Sequence, residues 1–244
     1  IATTFSEIRR DCSVYQTKAV TIVEVMGRNA GWLTAAAALS RVGGLEGPDL
    51  IYLCEVPFQK ADFIDHIKKL LLEKDAVVIA VSEGIKDTQG QYLSAGPESD
   101  TLDAFGHNQV AGAANKLVKF VKEEIGCKVR SIELNLMQRC AGHLISKTDI
   151  EESIELGRTA CKGALEGNSG MMAAVKRISN QPYQVAYELV SIELVSNQEK
   201  KVPLSMINVE KNDVNQEMID YLYPLIQGEI NIVYEHGIPK HLVF

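Results

Sequence analysis

The sequence predicts an α/β protein whose mostly parallel sheet is covered by helices on both faces. Three features predict this fold. Runs of β-forming apolar residues alternate with helical patterns along the chain. One run, Ala76 to Val81, is apolar without interruption, as strands of parallel sheets are when both their faces are covered. With 244 residues, of which 46% are hydrophobic and 23% charged, the chain can bury one large or two small cores.

Strand and helix units fill the first half of the chain. Residues 1–10 lack an initiator Met and have the apolar spacing of an amphipathic helix, so we expect the end of a helix continuing from a preceding domain. Glycine or proline follows the first strand runs and ends them. The strands are expected at Ala19 to Val25, Leu50 to Cys54 and Ala76 to Val81, with helices near 31–41, 61–73 and 108–124 and a loop over 87–103.

The second half opens with another strand pattern, Lys128 to Met137. Thr148-Asp149-Ile150-Glu151 then has the spacing of a capping box, which predicts a helix that starts there and runs to about Leu165. The last expected elements are neighbouring strands at Met171 to Ile178 and Gln184 to Leu194, a turn at Pro182 and a helix over 213–226.

Composition excludes some partners and indicates a compartment. A formal net charge of −7 argues against a surface for nucleic acid or anionic membrane, because either would need a basic field. No apolar run reaches the roughly 18 residues of a membrane span, and no signal peptide pattern is present. The cysteines form no Cys-x-x-Cys pair, so we expect reduced thiols in a soluble, cytoplasmic protein. They are Cys12, Cys54, Cys127, Cys140 and Cys161.

Two polar residues lie where predicted strands end, which is where parallel sheets bind ligands. Arg28 follows Met26 and Gly27, and a guanidinium there can fork across two phosphate oxygens while the glycine lets the backbone approach. Glu83 follows the apolar strand and can accept hydrogen bonds from sugar hydroxyls. The alternatives are a surface arginine in an ion pair and a loop carboxylate in water.

Arg130 and Arg139 stand at opposite ends of one predicted strand, roughly 30 Å apart if it is fully extended. They cannot serve one phosphate within one subunit. Either one of them is structural, or they serve two sites related by the symmetry of an oligomer.

Four segments together resemble the phosphofructokinase family. They are Val23-Glu24-Val25-Met26-Gly27-Arg28, Glu55-Val56-Pro57-Phe58, Val81-Ser82-Glu83-Gly84 and Gln138-Arg139. The resemblance spans most of the chain and implies that family's fold. It implies that Met26, Gly27 and Arg28 hold fructose 6-phosphate beside the transferred phosphoryl group.

The same resemblance implies roles for the other candidates. Glu83 would bind sugar hydroxyls, Arg139 the 6-phosphate, and Arg130 the site of a neighbouring subunit. Leu136 and Gln138 would lie in the substrate site, although Asn135-Leu136-Met137 stands where the bacterial ATP-dependent members usually carry a Gly-His pair. Lys18 is the cation nearest to Ala19, where many members carry a second cross-subunit arginine, and is expected to take that role.

Two segments near Arg139 bear on whether the phosphoryl donor is pyrophosphate or ATP. Gln138-Arg139-Cys140-Ala141-Gly142-His143 and the following Ser146-Lys147-Thr148-Asp149 resemble the pyrophosphate-using branch more than the ATP-using one. The family's early Gly-Gly loop and its catalytic Thr-x-Asp-x-Asp loop are not found, so we expect a carboxyl-terminal portion that is inactive alone, with Mg²⁺ and donor held by the absent portion.

The resemblance also suggests a division of the chain. Residues 1–18 would continue from the absent domain, 19–180 would form the sugar-phosphate-binding domain, and 181–244 would complete the fold. Two other functions stay open. One is a non-catalytic sugar-phosphate sensor or regulatory subunit. The other is a nicotinamide-binding domain, disfavoured because Gly27 and Gly31 do not make Gly-x-Gly-x-x-Gly. The five histidines show no metal-binding spacing.

Overall fold

The computed structural model describes residues 1–14, 16–94 and 112–240. The strands are β1 (Ala19–Val25), β2 (Leu50–Tyr52), β3 (Ala76–Ser82), β4 (Lys128–Glu133), β5 (Met171–Asn180), β6 (Tyr183–Ser191), β7 (Ile207–Asn208), β8 (Asp213–Val214), β9 (Tyr234–Glu235) and β10 (Ile238–Pro239). The α-helices are α1 (Ala2–Ser13), α2 (Trp32–Ala35), α3 (Lys60–Glu73), α4 (Ala113–Glu124), α5 (Met137–Cys140), α6 (Lys147–Leu165) and α7 (Gln216–Leu222).

Contacts divide these residues into two units. The first consists of Ile1–Cys140 with Lys200–Ile219, and the second of Ala141–Glu199 with residues 220–240. The division predicted at residues 18 and 180 stays a prediction. The described parts of the chain contain no helix with the length and apolarity needed to span a bilayer.

A parallel sheet is the centre of the first unit. Its strand order is β2-β3-β1-β4, and all three pairings are parallel, which confirms the predicted fold class. All seven residues of β3 are buried, as its uninterrupted apolar run predicts. Because β1 lies between β3 and β4, the ends of these three strands are brought to one edge.

Helices cover both faces of this sheet. Alternate residues of β1 and β3, such as Val20 and Val77, pack into one cluster with Phe63 of α3 and Leu117 of α4. The other face meets α1, whose Cys12 Sγ lies 3.2 Å from the Thr21 hydroxyl. The amphipathic amino-terminal helix was therefore predicted correctly. The predicted start of the α4 helix near residue 108 lies outside the described residues.

The strand predicted to run from Lys128 to Met137 is shorter. β4 ends at Glu133, Asn135 adopts a left-handed conformation with φ of 41°, and α5 follows at once. Asparagine is one of the few residues that tolerates this conformation, and it turns the chain away from the sheet. Arg139 thus lies on α5, so the prediction that Arg130 and Arg139 occupy two ends of one strand is wrong.

In the second unit, α6 packs on the antiparallel β5–β6 hairpin. The helix and the hairpin approach each other closely at Gly163 of α6, where an added Cβ would lie 2.6 Å from the Leu189 Cδ1 of β6. The helix begins earlier than its predicted capping box, because Ser146 is the N-cap and accepts a hydrogen bond from the Asp149 amide. The turn at Pro182 is as predicted.

Residues near 213 form no helix, against the prediction. Asp213 and Val214 pair with β7, and the Asp213 carboxylate receives two hydrogen bonds from the Arg41 guanidinium at 2.6 and 2.8 Å. That ion pair fixes Asp213 outside the helix, which starts at Gln216.

Candidate functional site

Three segments meet at the carboxyl edge of the parallel sheet. They are the loop of Met26, Gly27 and Arg28 after β1, Glu83 after β3, and α5 with Gln138 and Arg139 after β4. Because neighbouring parallel strands end on the same side, these segments are brought together although they are far apart in sequence. This edge is therefore the candidate binding site.

Side chains from both neighbours hold the loop after β1. The Met26 amide donates to the Gln138 Oε1 at 2.9 Å. The Gly27 amide lies near the Glu83 carboxylate and lowers its pKa. Gly84 lies so close to the loop that an added Cβ would be 1.8 Å from the Arg28 carbonyl oxygen, so no other residue fits there without movement. The backbone that carries Arg28 is thus fixed from two sides.

Glu83 and two arginines share one electrostatic environment. Partial burial raises the pKa of the Glu83 carboxyl above its ordinary value, while the Gly27 amide and the charges of Arg28 and Arg139 act in the opposite direction. The structure therefore brings together Arg28, Glu83 and Arg139, as the positions of the strand ends predict. Such a group can bind phosphate oxygens through its guanidinium groups and hydroxyls through its carboxylate.

Arg130 and Lys18 lie away from this group. Arg130 is paired in register with Thr21, four residues before the end of β1, a distance of about 13 Å along the strand. Its guanidinium lies 3.7 Å from the Asp11 carboxylate. Lys18 precedes β1 and donates to the Leu71 carbonyl oxygen at the end of α3. Both cations are therefore nearer the opposite edge of the sheet.

Leu136 lies in the turn between β4 and α5, and the residue is 60% exposed. Arg139, on α5, is exposed too, whereas Gln138 is half-buried and accepts the hydrogen bond from the Met26 amide. The three residues thus belong to the same short segment but face different surroundings.

Sequence reasoning missed the role of Glu24, a buried carboxylate in β1. Its two oxygens accept hydrogen bonds from the Gly112 amide at 3.1 Å and the Ala114 amide at 2.8 Å, at the start of α4. Burial raises the pKa of Glu24, and the nearby charges of Glu133 and Glu83 raise it further. A glutamate inside an apolar strand run is the sequence feature that indicates this role, because a buried carboxylate needs hydrogen-bond donors.

Glu55 also has a structural role that its sequence position does not predict. Its Oε1 accepts hydrogen bonds from the Gly31 and Val202 amides, both at 2.9 Å. Glu55 therefore ties the start of α2 to Val202, which lies 147 residues after Glu55 in the sequence. Burial raises the pKa of the neighbouring Cys54 thiol to about 12.

A cavity of about 250 Å³ lies elsewhere in the first unit, beside Tyr52, Phe58 and His66. Within the described ranges, none of the predicted site residues lines it. In the same ranges, no group of histidine, cysteine and carboxylate side chains is arranged to hold a metal ion.

Comparison with known proteins identifies the family to which the chain is similar. A family model described as phosphofructokinase matches residues 1–164. A pyrophosphate–fructose 6-phosphate 1-phosphotransferase of Halomonas elongata is 37% identical over 221 residues, which cover 91% of this chain and 52% of that protein. A protein of the same name from Xanthomonas campestris is 36% identical over 224 residues, covering 91% and 53%.

Solved structures agree with these relatives. The crystal structure of a pyrophosphate-dependent phosphofructokinase from Nitrosospira multiformis superposes with a TM-score of 0.84 at 30% identity, over 99% of this chain and 57% of that one. The chain thus spans about half the length of the curated relatives it matches.

Proposed function

Because the chain belongs to the phosphofructokinase family, we propose that it is the fructose 6-phosphate-binding portion of a 6-phosphofructokinase that uses pyrophosphate. The reaction would transfer a phosphoryl group to the 1-hydroxyl of the sugar phosphate. The observation that carries the proposal is the convergence of Arg28, Glu83 and Arg139 at one edge of the sheet.

Each of these residues has a chemical task in the proposal. The Arg28 guanidinium compensates the charge that develops on the transferring phosphoryl group. The Arg139 guanidinium binds the 6-phosphate, for which its forked geometry is suited. The Glu83 carboxylate accepts a hydrogen bond from a sugar hydroxyl and so orients the ring. Met26 and Gly27 form the wall against which the sugar lies.

The donor is proposed from the relatives and from the segment around Arg139. Pyrophosphate is named for the Halomonas and Xanthomonas proteins, and the Gln138 to His143 segment resembles the pyrophosphate-using branch. The family resemblance implies that Mg²⁺ and the donor are held by residues outside this chain, so we expect the chain alone to be inactive.

Oligomerisation and location complete the proposal. Arg130 and Lys18 lie too far from Arg28 to serve the same phosphate, which supports a role for them in the site of a neighbouring subunit. All five cysteines are free, which agrees with a cytoplasmic location.

A donor assay on the full-length protein tests the function. We expect fructose 1,6-bisphosphate to form with pyrophosphate and far more slowly with ATP. Arg28→Ala should lower kcat by about 10²- to 10³-fold, the effect of removing one group that stabilises transition-state charge. If calorimetry detects fructose 6-phosphate binding but neither donor supports turnover, the protein is a sensor and the proposed reaction is wrong.

A further inference from the structure

We infer that Gln138 is a positioning residue that joins the Met26–Arg28 loop to α5, so that Arg28 and Arg139 keep a fixed relative position. Its role in catalysis rests on the function proposed above, whereas its structural role does not. It differs from the direct substrate contact that the family resemblance implies for this residue.

The need for Gln138 arises where the sheet ends. The β1–β4 pairing stops at Glu24 and Glu133, and the Leu134 amide makes the last backbone bond, 3.0 Å to the Glu24 carbonyl. Asn135 then turns the chain away, so β4 offers no further carbonyl to the Met26 amide. The Gln138 Oε1 accepts that hydrogen bond instead, at 2.9 Å. A side chain thus replaces the missing ladder acceptor for a half-buried amide.

The segment after β3 holds the opposite side of the loop. The Glu83 amide donates to the Val25 carbonyl at 3.0 Å, and the Gly27 amide lies near the Glu83 carboxylate, whose pKa it lowers. Gly84 packs against the following loop residue, Arg28. The Arg28 carbonyl oxygen occupies the space that a Cβ at position 84 would need. The end of β1 and the loop after it are therefore held from both neighbouring segments.

Gln138 directly precedes Arg139 on α5. A hydrogen bond from Gln138 to Met26 therefore connects the residue proposed to bind the 6-phosphate with the residue proposed to stabilise the transferring group. Loss of this bond should misplace Arg28 without removing any group that touches the substrate. Small misplacements of a catalytic group lower kcat, by about 10²-fold for 1 Å.

Hydrogen exchange tests the structural part in the full-length protein. Gln138→Met has a similar length but no acceptor oxygen, and Gln138→Glu keeps one. We expect the Met26 amide to exchange about five- to tenfold faster in Gln138→Met, the change that corresponds to one lost hydrogen bond. Gln138→Glu should stay near the wild-type rate, as should Gln198→Met, the same change at an exposed residue. Slow exchange of the buried β3 amides shows that each variant is folded.

Steady-state kinetics test the catalytic part. Gln138→Met should lower kcat by about 10- to 100-fold and change the KM for fructose 6-phosphate by less than about threefold. Gln138→Glu should recover kcat and raise KM, because it places a negative charge beside the phosphate site. Unchanged Met26 exchange in Gln138→Met, or a raised KM with unchanged kcat, would overturn the inference. A wild-type protein without turnover would refute the proposed function alone, and the exchange rate would still decide the role of Gln138.

Discussion

The hydroxyl of Tyr52 is buried and has no hydrogen-bond partner in the parts of the chain that the structure describes. Its ring makes edge contacts with Phe58 and Phe63, at centroid distances of 5.7 and 5.4 Å, and so behaves as an apolar side chain. An unsatisfied buried polar group costs about 1–3 kcal/mol. We therefore expect Tyr52→Phe to raise the free energy of unfolding, by up to about 1 kcal/mol after allowance for relaxation, as measured by urea titration.

Tyr183→Phe provides the matched control, because the Tyr183 hydroxyl donates to the Glu152 carboxylate. The same chemical change there should lower the free energy of unfolding, by about 0.5–1.5 kcal/mol. A loss of comparable size in Tyr52→Phe would mean that the Tyr52 hydroxyl has a partner in the folded protein.

Glu83 should make stability depend on pH. Its pKa is raised in the folded state, so the folded protein binds the proton more tightly than the unfolded chain. Its stabilising effect is complete below the ordinary value of 4.5 and is lost as pH rises through the folded value. We expect the gain in unfolding free energy between pH 7 and pH 4.5 to be smaller in Glu83→Gln than in wild type, in urea titrations across this range.

Glu124→Gln should change the pH dependence in the opposite sense. The hydrogen bond and charge of Lys60 lower the pKa of Glu124, so its stabilising effect is present above 4.5 and lost as pH falls. Identical slopes for Glu83→Gln and wild type would show that burial does not control the Glu83 carboxyl.

The residues at the strand ends could be located from the sequence, while several of their supports could not. Arg28 and Glu83 each follow a strand run, so a parallel sheet places both at its carboxyl edge, and the β1–β3 pairing brings them close together. Glu24 and Glu55 depend on amides 90 and 147 residues away, and no local pattern specifies such contacts. The catalytic and binding roles of Arg28, Glu83 and Arg139 remain predictions.

Among the secondary-structure elements, β4 shows where pattern reasoning stops. Alternation of polar and apolar residues continues past Glu133, so the run reads as strand up to Met137. The break is made by the conformation of Asn135, which one residue decides and which periodicity does not show. The consequence is large, because the turn moves Arg139 from the strand to α5 and places Gln138 beside Met26.

The start of α6 gives a prediction about an element. Ser146 accepts from the Asp149 amide at 3.1 Å and donates to the Leu225 carbonyl at 2.6 Å. Ser146→Ala should lower the free energy of unfolding by about 1 kcal/mol, and by up to about 2, because an N-cap bond is lost. Thermal melting followed by circular dichroism would measure the change.

Ser153→Ala is the control within the same helix. Ser153 is exposed, and its hydroxyl donates to the Asp149 carbonyl one turn earlier, a bond that competes with the helix. Ser153→Ala should change the free energy of unfolding by less than about 0.5 kcal/mol, since Ala favours the helix. Equal effects of the two substitutions would show that Ser146 does not cap α6.

In the molecule as a whole, the sheet separates two sets of cations. Arg28 and Arg139 lie at the carboxyl edge, and Arg130 and Lys18 lie toward the other edge. Alternation of strands and helices predicts a parallel sheet, but its order β2-β3-β1-β4 depends on packing between distant segments and came only from the structure. That order puts β1 between β3 and β4, which gives the site its three sides.

Mixed oligomers of the full-length protein would test whether the second set of cations serves a neighbouring subunit. If Arg130 completes the partner's site, a subunit with Arg28→Ala still supplies its Arg130 to the site of its partner. A subunit with Arg130→Ala still has Arg28 in its own site. Random pairing of these two inactive variants should restore about one quarter of the wild-type sites, because half of the pairs are mixed and each has one complete site.

The control mixture pairs Arg28→Ala with Arg139→Ala. These two residues lie on the same edge of one subunit, so each variant subunit lacks part of its own site and no pairing completes one. We expect no recovery of turnover in that mixture at low fructose 6-phosphate. Recovery in both mixtures would mean that recovery does not depend on Arg130 serving the partner's site. Recovery in neither would show that Arg130 acts within its own subunit, where it contacts Asp11.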